Sequence, residues 1–279
     1  MVKNVNGIKI ITVAGMQRSG TTLVGQILGV HSKSFLIDES DDAFHPVCQW
    51  LLSGYKTRFP ESKLPQAAKK YKDSRSDVSS ISQLNEFYLV IKAPNLSFEY
   101  SRLSGLSNSQ KLIVYPVRDA RSVVATMLRR KKSNMIEKQI NWFLKHPYFQ
   151  KQHQEMLEIL VDDKTPEHIK AALIWNHKTQ LYKKFQANKM NPLVIRYEDV
   201  VSQTRDNCLK LVEYCGLNYE DSMQEHHLLL SGKAPGNTVR ERQIDQDSLN
   251  KWQAELSVQQ IDQINQICEL AMNELGYQL

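Results

Sequence analysis

The octet Gly15-Met16-Gln17-Arg18-Ser19-Gly20-Thr21-Thr22 joins an apolar, β-branched run at residues 8–14 to a helix-like stretch at 22–30. A strand, a tight glycine turn and a helix N-terminus collect phosphate on backbone N–H groups. The octet nearly spells the nucleotide loop G-x-x-x-x-G-K-[ST], but Thr21 stands where the lysine that reaches the β/γ-phosphates belongs. A positive charge is retained three residues upstream, at Arg18. Such a turn suits a phosphate-like anion and argues against NTP hydrolysis. Three further charged residues, Glu39, Lys92 and Arg118, each follow a strand-like run. Three cations and one carboxylate around an anion-binding turn are equipped for group transfer. The cations offset charge on the moving group, and the carboxylate takes a proton from the acceptor.

These groups need a scaffold that delivers strand ends to one edge. After the first strand and helix, 35–37 reads as a second strand and Phe44–Leu52 as a helix. Residues 56–85 are polar and rich in Lys and Ser, which predicts exposed helix and loop. The stretch 87–91 is a strand stopped by Pro94, and Lys111–Val117 is a strand followed by a helix to about residue 131. A long amphipathic helix is expected over 166–187, a strand over Leu193–Arg196, and a helix over Thr204–Cys215 ending at Gly216. Ser257 and Gln260 form a capping box for a final helix that stops near Gly276. Strands alternating with helices predict an α/β fold, a P-loop-type doubly wound parallel sheet flanked by helices, in one domain spanning 1–279. Ligands are expected at the C-terminal ends of its strands.

Composition agrees with this reading. The 279 residues are 41% hydrophobic and 24% charged, with a formal charge of +6 that suits an anionic ligand. The four cysteines show no C-x-x-C spacing; Cys208 and Cys215, seven apart, are expected in the core. Nothing calls for disulfides or zinc, so a reducing cytoplasm is the natural compartment. The apolar run at 10–16 is flanked by Arg18-Ser19-Gly20 and lacks a small-residue cleavage site, unlike a signal peptide. No apolar run reaches membrane-spanning length.

The combined motifs resemble the sulfotransferases that use 3′-phosphoadenosine 5′-phosphosulfate (PAPS). Arg18-Ser19-Gly20-Thr21-Thr22 is similar to that family's loop for the 5′-phosphosulfate. Val117-Arg118, followed eight residues later by the hydroxyl of Thr126, resembles its 3′-phosphate segment, where Ser is usual at the second position. Arg130, one helical turn further, would add a third contact. Arg196-Tyr197-Glu198-Asp199 is similar to another recurring segment. Within the superfamily the tyrosylprotein sulfotransferase branch is the most similar. Glu39 lies at the spacing from Arg18 where that branch keeps its catalytic glutamate, and Lys92 in Lys-x-Pro resembles its catalytic lysine. Trp252 and Leu275-Gly276-Tyr277 recur in similar positions. The cytosolic small-molecule branch has a histidine shortly after the strand-end lysine. Ala93, Pro94 and Asn95 stand here instead, which favours Glu39 as base.

The resemblance implies transfer of a sulfuryl group from PAPS to an acceptor hydroxyl of a small-molecule alcohol or phenol, a glycan or a peptide tyrosine, leaving adenosine 3′,5′-bisphosphate. Arg18, Ser19, Gly20, Thr21 and Thr22 would bind the donor, with Arg118, Thr126 and Arg130 on its 3′-phosphate. Arg240 and Arg242 sit where such enzymes return a basic loop to that phosphate, although a salt-bridged segment with Glu241 fits them as well. Tyr182 or Trp175 would stack on adenine, unless their helical spacing marks them as core. Asp38, Asp41 and His45 are substitutes for Glu39. The eight histidines show no ligand spacing, so no metal is expected. The run 129–132 reads as the solvated end of a helix with Arg130 turned inward, not as a nucleic-acid site. A homo-oligomer remains compatible with the sequence. Two other classes stay open, a P-loop kinase-like phosphotransferase and a non-catalytic module for the bisphosphate or a sulfated ligand.

Overall fold

The structure is a computed structural model that describes residues 9–84, 87–106, 111–130, 133–236 and 238–279. The expected strand start at Ile8, the loop end at Asn85 and the basic residues Lys131 and Lys132 lie outside them. Five strands, β1 (Lys9–Val13), β2 (Ser34–Asp38), β3 (Tyr88–Lys92), β4 (Lys111–Val117) and β5 (Leu193–Arg196), form one parallel sheet in the order β2-β3-β1-β4-β5. β2 and β3 are buried along their whole length, as parallel strands with apolar centres covered on both faces should be. The chain winds to one side of β1 through β2 and β3, then crosses to β4 and β5. The strand order therefore reverses beside β1 and β4, and the crevice at their C-terminal ends is the place for a ligand. The α/β doubly wound class is as the alternation of elements implied.

Register brings the charged strand ends together. Val13 and Asp38 both pair with Lys92, and Val117 pairs with Arg196. Glu39, one residue past Asp38, is thereby set beside Lys92. Helix α1 (Thr21–Gly29) lies across this edge, and the absent side chain of Gly25 permits it, because a Cβ there would sit 2.9 Å from Lys92 Cγ. Helix α2 (Phe44–Leu52) follows β2, α3 (Ala120–Arg129) follows β4, and α4 is Met135–Lys145. Helix α5 (Glu167–Thr179) packs between α3 and the last long helix, Val258–Glu274. The latter starts on the Ser257–Gln260 capping box and is followed by Gly276 at φ +74°.

Two expectations about elements are corrected. The single helix over 166–187 is two, because the Lys178 carbonyl accepts from Tyr115 Oη at 2.7 Å and from Leu181 N–H at 3.1 Å. A turn at Gln180 and Leu181, closed by that i→i+3 bond, replaces the helical ladder there, and Tyr182–Ala187 begins afresh as helix α6. Residues 56–84 contain helix, at Leu64–Ala68 and Ile81–Leu84, and loop as expected, but they are not exposed throughout. Leu64, Ala67, Tyr71, Val78 and Ile81 are buried there together with Lys70 and Arg75. These two cations tolerate burial because they satisfy backbone oxygens. Arg75 donates to the carbonyls of Gly29, Val30, His31 and Ser34, and Lys70 donates to that of Leu36 and to the Asp41 carboxylate. Charge content alone pointed outward; pairing turned the segment inward.

Candidate active site

The glycine turn between β1 and α1 is built from backbone conformations that few residues adopt. Gly15, Arg18 and Gly20 have φ of 137°, 70° and 86°. Gly20 is the N-cap of α1 and provides no side-chain cap, so the orphan N–H groups of the first turn remain available to an anion. The Tyr197 ring presses on this turn so closely that a Cβ on Gly20 would lie 2.4 Å from Cδ2. The left-handed Arg18 backbone throws its guanidinium across the loop toward Gly236, where a Cβ would come within 2.6 Å of Nη1.

Beside this turn opens a cavity of about 350 Å³, between α1, α3 and the segment from Thr238 to Glu255. Arg18, Arg118, Ser122, Thr126, Arg129, Arg130 and Arg242 line it, together with Tyr197. Arg129 is ion-paired with Glu255, and Arg242 with Asp245 at 2.6 Å. Arg18, Arg118 and Arg130 have no carboxylate in ion-pair contact among the described residues. Arg118 donates to the carbonyls of Arg18 (3.3 Å) and Ser248 (2.7 Å), and stacks 4.4 Å from the Tyr197 ring. Arg130 donates to the Gly236 carbonyl at 2.7 Å. The Nε atoms of Arg18 and Arg118 and the Ser19 hydroxyl are buried without a hydrogen-bond partner among the described residues. Burial, followed by repulsion from Arg130, Arg118 and Arg129, pulls the Arg18 guanidinium down to about 10. A partly buried cation crowded by like charge, with donors to spare, is suited to an anion. Leu23, Val201, Val239, Ile244 and Trp252 provide apolar walls.

The second half of the site lies at the ends of β2 and β3, outside this cavity's lining. Glu39 and the nearly buried Lys92 form an ion pair, with Glu39 partly open to solvent. The other carboxylates of the turn serve to anchor it. Asp38 is buried against Arg240 Nη2 at 2.7 Å and Ser40, and Asp41 is paired with Lys70 while accepting from Asp38 N–H at 2.8 Å. Burial disfavours the Asp38 anion, but Lys70 and Arg240 more than offset that and hold its carboxyl well below the usual range. Asp38 and Asp41 are thus committed to structure, and Glu39 is the carboxylate left facing Lys92.

Two cavity assignments need correction. Arg240 does not reach the cavity; its guanidinium is buried on Asp38, Ser40 and the Lys233 carbonyl. The residue locks the turn that carries Glu39, while Arg242 does line the cavity. Tyr182 is displaced by the break before α6 and packs against Tyr115, with ring centroids 6.0 Å apart, beside Leu193 and Arg196. Trp175 is core, its indole N–H bonded to the Arg118 carbonyl at 2.9 Å. Sequence reasoning missed the role of Tyr197, which holds both Gly20 and Arg118. The Arg196–Asp199 segment was noticed, yet nothing in its composition tells that the tyrosine turns under the loop. Glu198 accepts from Asp119 N–H and Tyr277 Oη, which ties α3 and the C-terminus to the same place.

Among the described residues, no group of three or more His, Cys, Asp or Glu side chains is placed to hold a metal ion, and no helix is long and apolar enough to cross a membrane. Residues 9–276 match the family model for the sulfotransferase domain. This chain belongs to the sulfotransferase domain family. Solved structures with the same fold include the sulfotransferase domain from the curacin biosynthetic pathway, at 17% identity and a TM-score of 0.59 over 98% of both chains. Another is the sulfotransferase domain of the olefin synthase from Synechococcus PCC 7002, at 15% identity and a TM-score of 0.56, covering 97% of this chain and 95% of that one. No curated protein sequence matches the chain. The family makes the protein a transferase of sulfuryl groups.

Proposed function

We propose that the protein transfers a sulfuryl group from PAPS to an acceptor hydroxyl. The observation that carries this reading is the convergence of Arg118, Ser122, Thr126 and Arg130 on one cavity wall, next to a phosphate loop without the NTP lysine. A ligand with only a 5′-phosphate chain would leave that wall unused. Bound donor supplies an activated sulfuryl group whose bond to the 5′-phosphate breaks as the acceptor oxygen bonds to sulfur. Arg18 and the first-turn N–H groups of α1 hold the 5′ side, and Arg118, Thr126 and Arg130 hold the 3′-phosphate. Thr126 Oγ1 donates to the Ser122 carbonyl at 2.8 Å, and rotation of the hydroxyl turns the same hydrogen toward a phosphate oxygen. The Leu23, Val239 and Ile244 side of the cavity accommodates the base.

Lys92 and Glu39 neutralise each other in the free protein. An anionic donor on the loop competes for Lys92, whose ammonium then stabilises charge on the bridging oxygen. Glu39, released from that pair, accepts the acceptor's proton. Similarity to the tyrosylprotein branch supports this carboxylate–lysine chemistry. The acceptor belongs to the hydroxyl class as a whole. A kinase-like reaction is disfavoured by Thr21 and by the cation wall on the 3′ side. The test is incubation with PAPS labelled in its sulfuryl group over alcohols, phenols, glycans and tyrosyl peptides. Label in an acceptor with equimolar bisphosphate release supports the reading, and phosphoryl transfer from Mg-ATP in its place refutes it.

A further inference from the structure

Lys178 of α5 is completely buried, and no part of the chemistry above uses it. Its ammonium donates to three side-chain amide oxygens: Gln17 Oε1 at 2.5 Å, Asn95 Oδ1 at 2.7 Å and Gln139 Oε1 at 2.7 Å. Three donors meet three acceptors, so the group is fully satisfied as an ammonium and has no acceptor duty to perform as an amine. Gln17 immediately precedes Arg18 in the phosphate loop. Asn95 is three residues beyond Lys92, and Gln139 projects from α4. Gln17 Nε2 also donates to Asn95 Oδ1 at 2.6 Å, closing the network between the two loops. The Phe98 ring lies 4.9 Å from the ammonium. One turn earlier on the same helix, Trp175 holds the carbonyl of Arg118. Helix α5 therefore braces the ends of β1, β3 and β4 at once.

We propose that Lys178 is a positioning residue for sulfuryl transfer, a buried cation that locks the phosphate loop to the segment carrying Lys92 so that donor and catalytic pair stay aligned. An apolar residue of the same volume would fill the space, but a lysine fixes directions as well, since each oxygen must face the ammonium. Burial pulls the Lys178 pKa well below its ordinary value and the Glu39 carboxylate opposes that in part, while the three amide oxygens around the ammonium are what hold it as a cation. A small misplacement of reacting groups costs about 100-fold in rate, so the effect belongs in kcat.

The kinetic half of the test rests on the sulfotransferase reading above; the exchange half does not. Lys178→Met, Gln17→Ala and Asn95→Ala are compared with the parent protein. Gln17 and Asn95 are only partly buried, so their variants fold even where Lys178→Met does not. Each single change should lower kcat by about 10- to 100-fold, with the dissociation constant for adenosine 3′,5′-bisphosphate within about tenfold of the parent value. Lys178→Met combined with Gln17→Ala should lose little more than the worse single change, as partners in one network do. Amide exchange should quicken in 15–20 and 93–97 with the central strands unchanged. Parent-like kcat per bound bisphosphate in the alanine variants, strictly additive losses, or unaltered exchange in both loops would each overturn the proposal. If the parent protein shows no PAPS turnover, the functional reading falls, and the exchange result alone decides whether Lys178 locks the loops.

Discussion

Replacing Arg118 by Met separates an anion-binding cation from a structural one. The side chain now contributes two hydrogen bonds to carbonyls, at 3.3 and 2.7 Å, and a stacking contact on Tyr197 at 4.4 Å. Hydrogen bonds of this kind are worth about 0.5–1.5 kcal/mol each, and a cation–π contact from a buried guanidinium about 1–2 kcal/mol. Against these losses stands relief of Arg18, which is held down to about 10 by burial and by three arginines including Arg118. Met also keeps apolar contact with the Tyr197 ring. The two sets of terms offset each other, so the ligand-free protein should change by no more than about 1–2 kcal/mol. Binding has no such compensation. Loss of a desolvated charge-assisted pair with phosphate costs about 2–4 kcal/mol, which is about 30- to 1,000-fold in affinity. Calorimetric titration with adenosine 3′,5′-bisphosphate reads the second quantity, and thermal melting without ligand reads the first. A drop in stability above about 4 kcal/mol with affinity kept within threefold would refute the reasoning and make Arg118 a brace for Ser248 and the loop.

Three further outcomes are expected. Glu39→Gln should lower turnover by about two to four decades while bisphosphate affinity stays nearly unchanged; activity within a few-fold of the parent in a steady-state assay would reject it as the base. Arg240→Met strands the buried Asp38 carboxylate and should cost about 3–5 kcal/mol in denaturant unfolding, with bisphosphate affinity unaltered because the residue lies off the cavity. Burial first, and then a neighbouring histidine, pushes His177 and His226 down to about 4 from an ordinary 6.5. The unfolded chain then binds protons that the folded one does not, so stability is full above pH 6.5 and is lost as pH falls toward 4. Melting temperatures across that interval should decline, and His226→Gln should flatten the decline.

The places of the candidate site residues in the fold were far more legible than the contacts that support them. Gly15–Thr22, Glu39, Lys92 and Arg118 each announce themselves by following an apolar run, and parallel strands put such residues on one edge whatever the details. The buried role of Arg240 was hidden because its partner, Asp38, is about two hundred residues away, and no local pattern tells an arginine facing phosphate from one facing a carboxylate. Tyr182 was misjudged for a different reason. Helical periodicity carried through Lys178–Leu181, but a tertiary hydrogen bond from Tyr115 ends the helix there. The polar segment 56–84 was read as surface since charge normally means exposure; backbone carbonyls near β2 and at the end of α1 supplied the partners that make Lys70 and Arg75 interior. Lys178 shows the same limit, as one more lysine in a polar helix until its three amide partners are seen.

The central claim is that the cation wall beside Thr126 exists for a 3′-phosphate. Calorimetry in EDTA with adenosine 3′,5′-bisphosphate and with ADP tests it most directly, because both ligands offer the loop a 5′-phosphate and only one offers the wall a 3′-phosphate. The account predicts that the bisphosphate binds at least about 100-fold more tightly, a difference of about 2.7 kcal/mol, and that added Mg²⁺ leaves its affinity unchanged. Equal affinities, or an ADP affinity that overtakes the bisphosphate once Mg²⁺ is present, would contradict it.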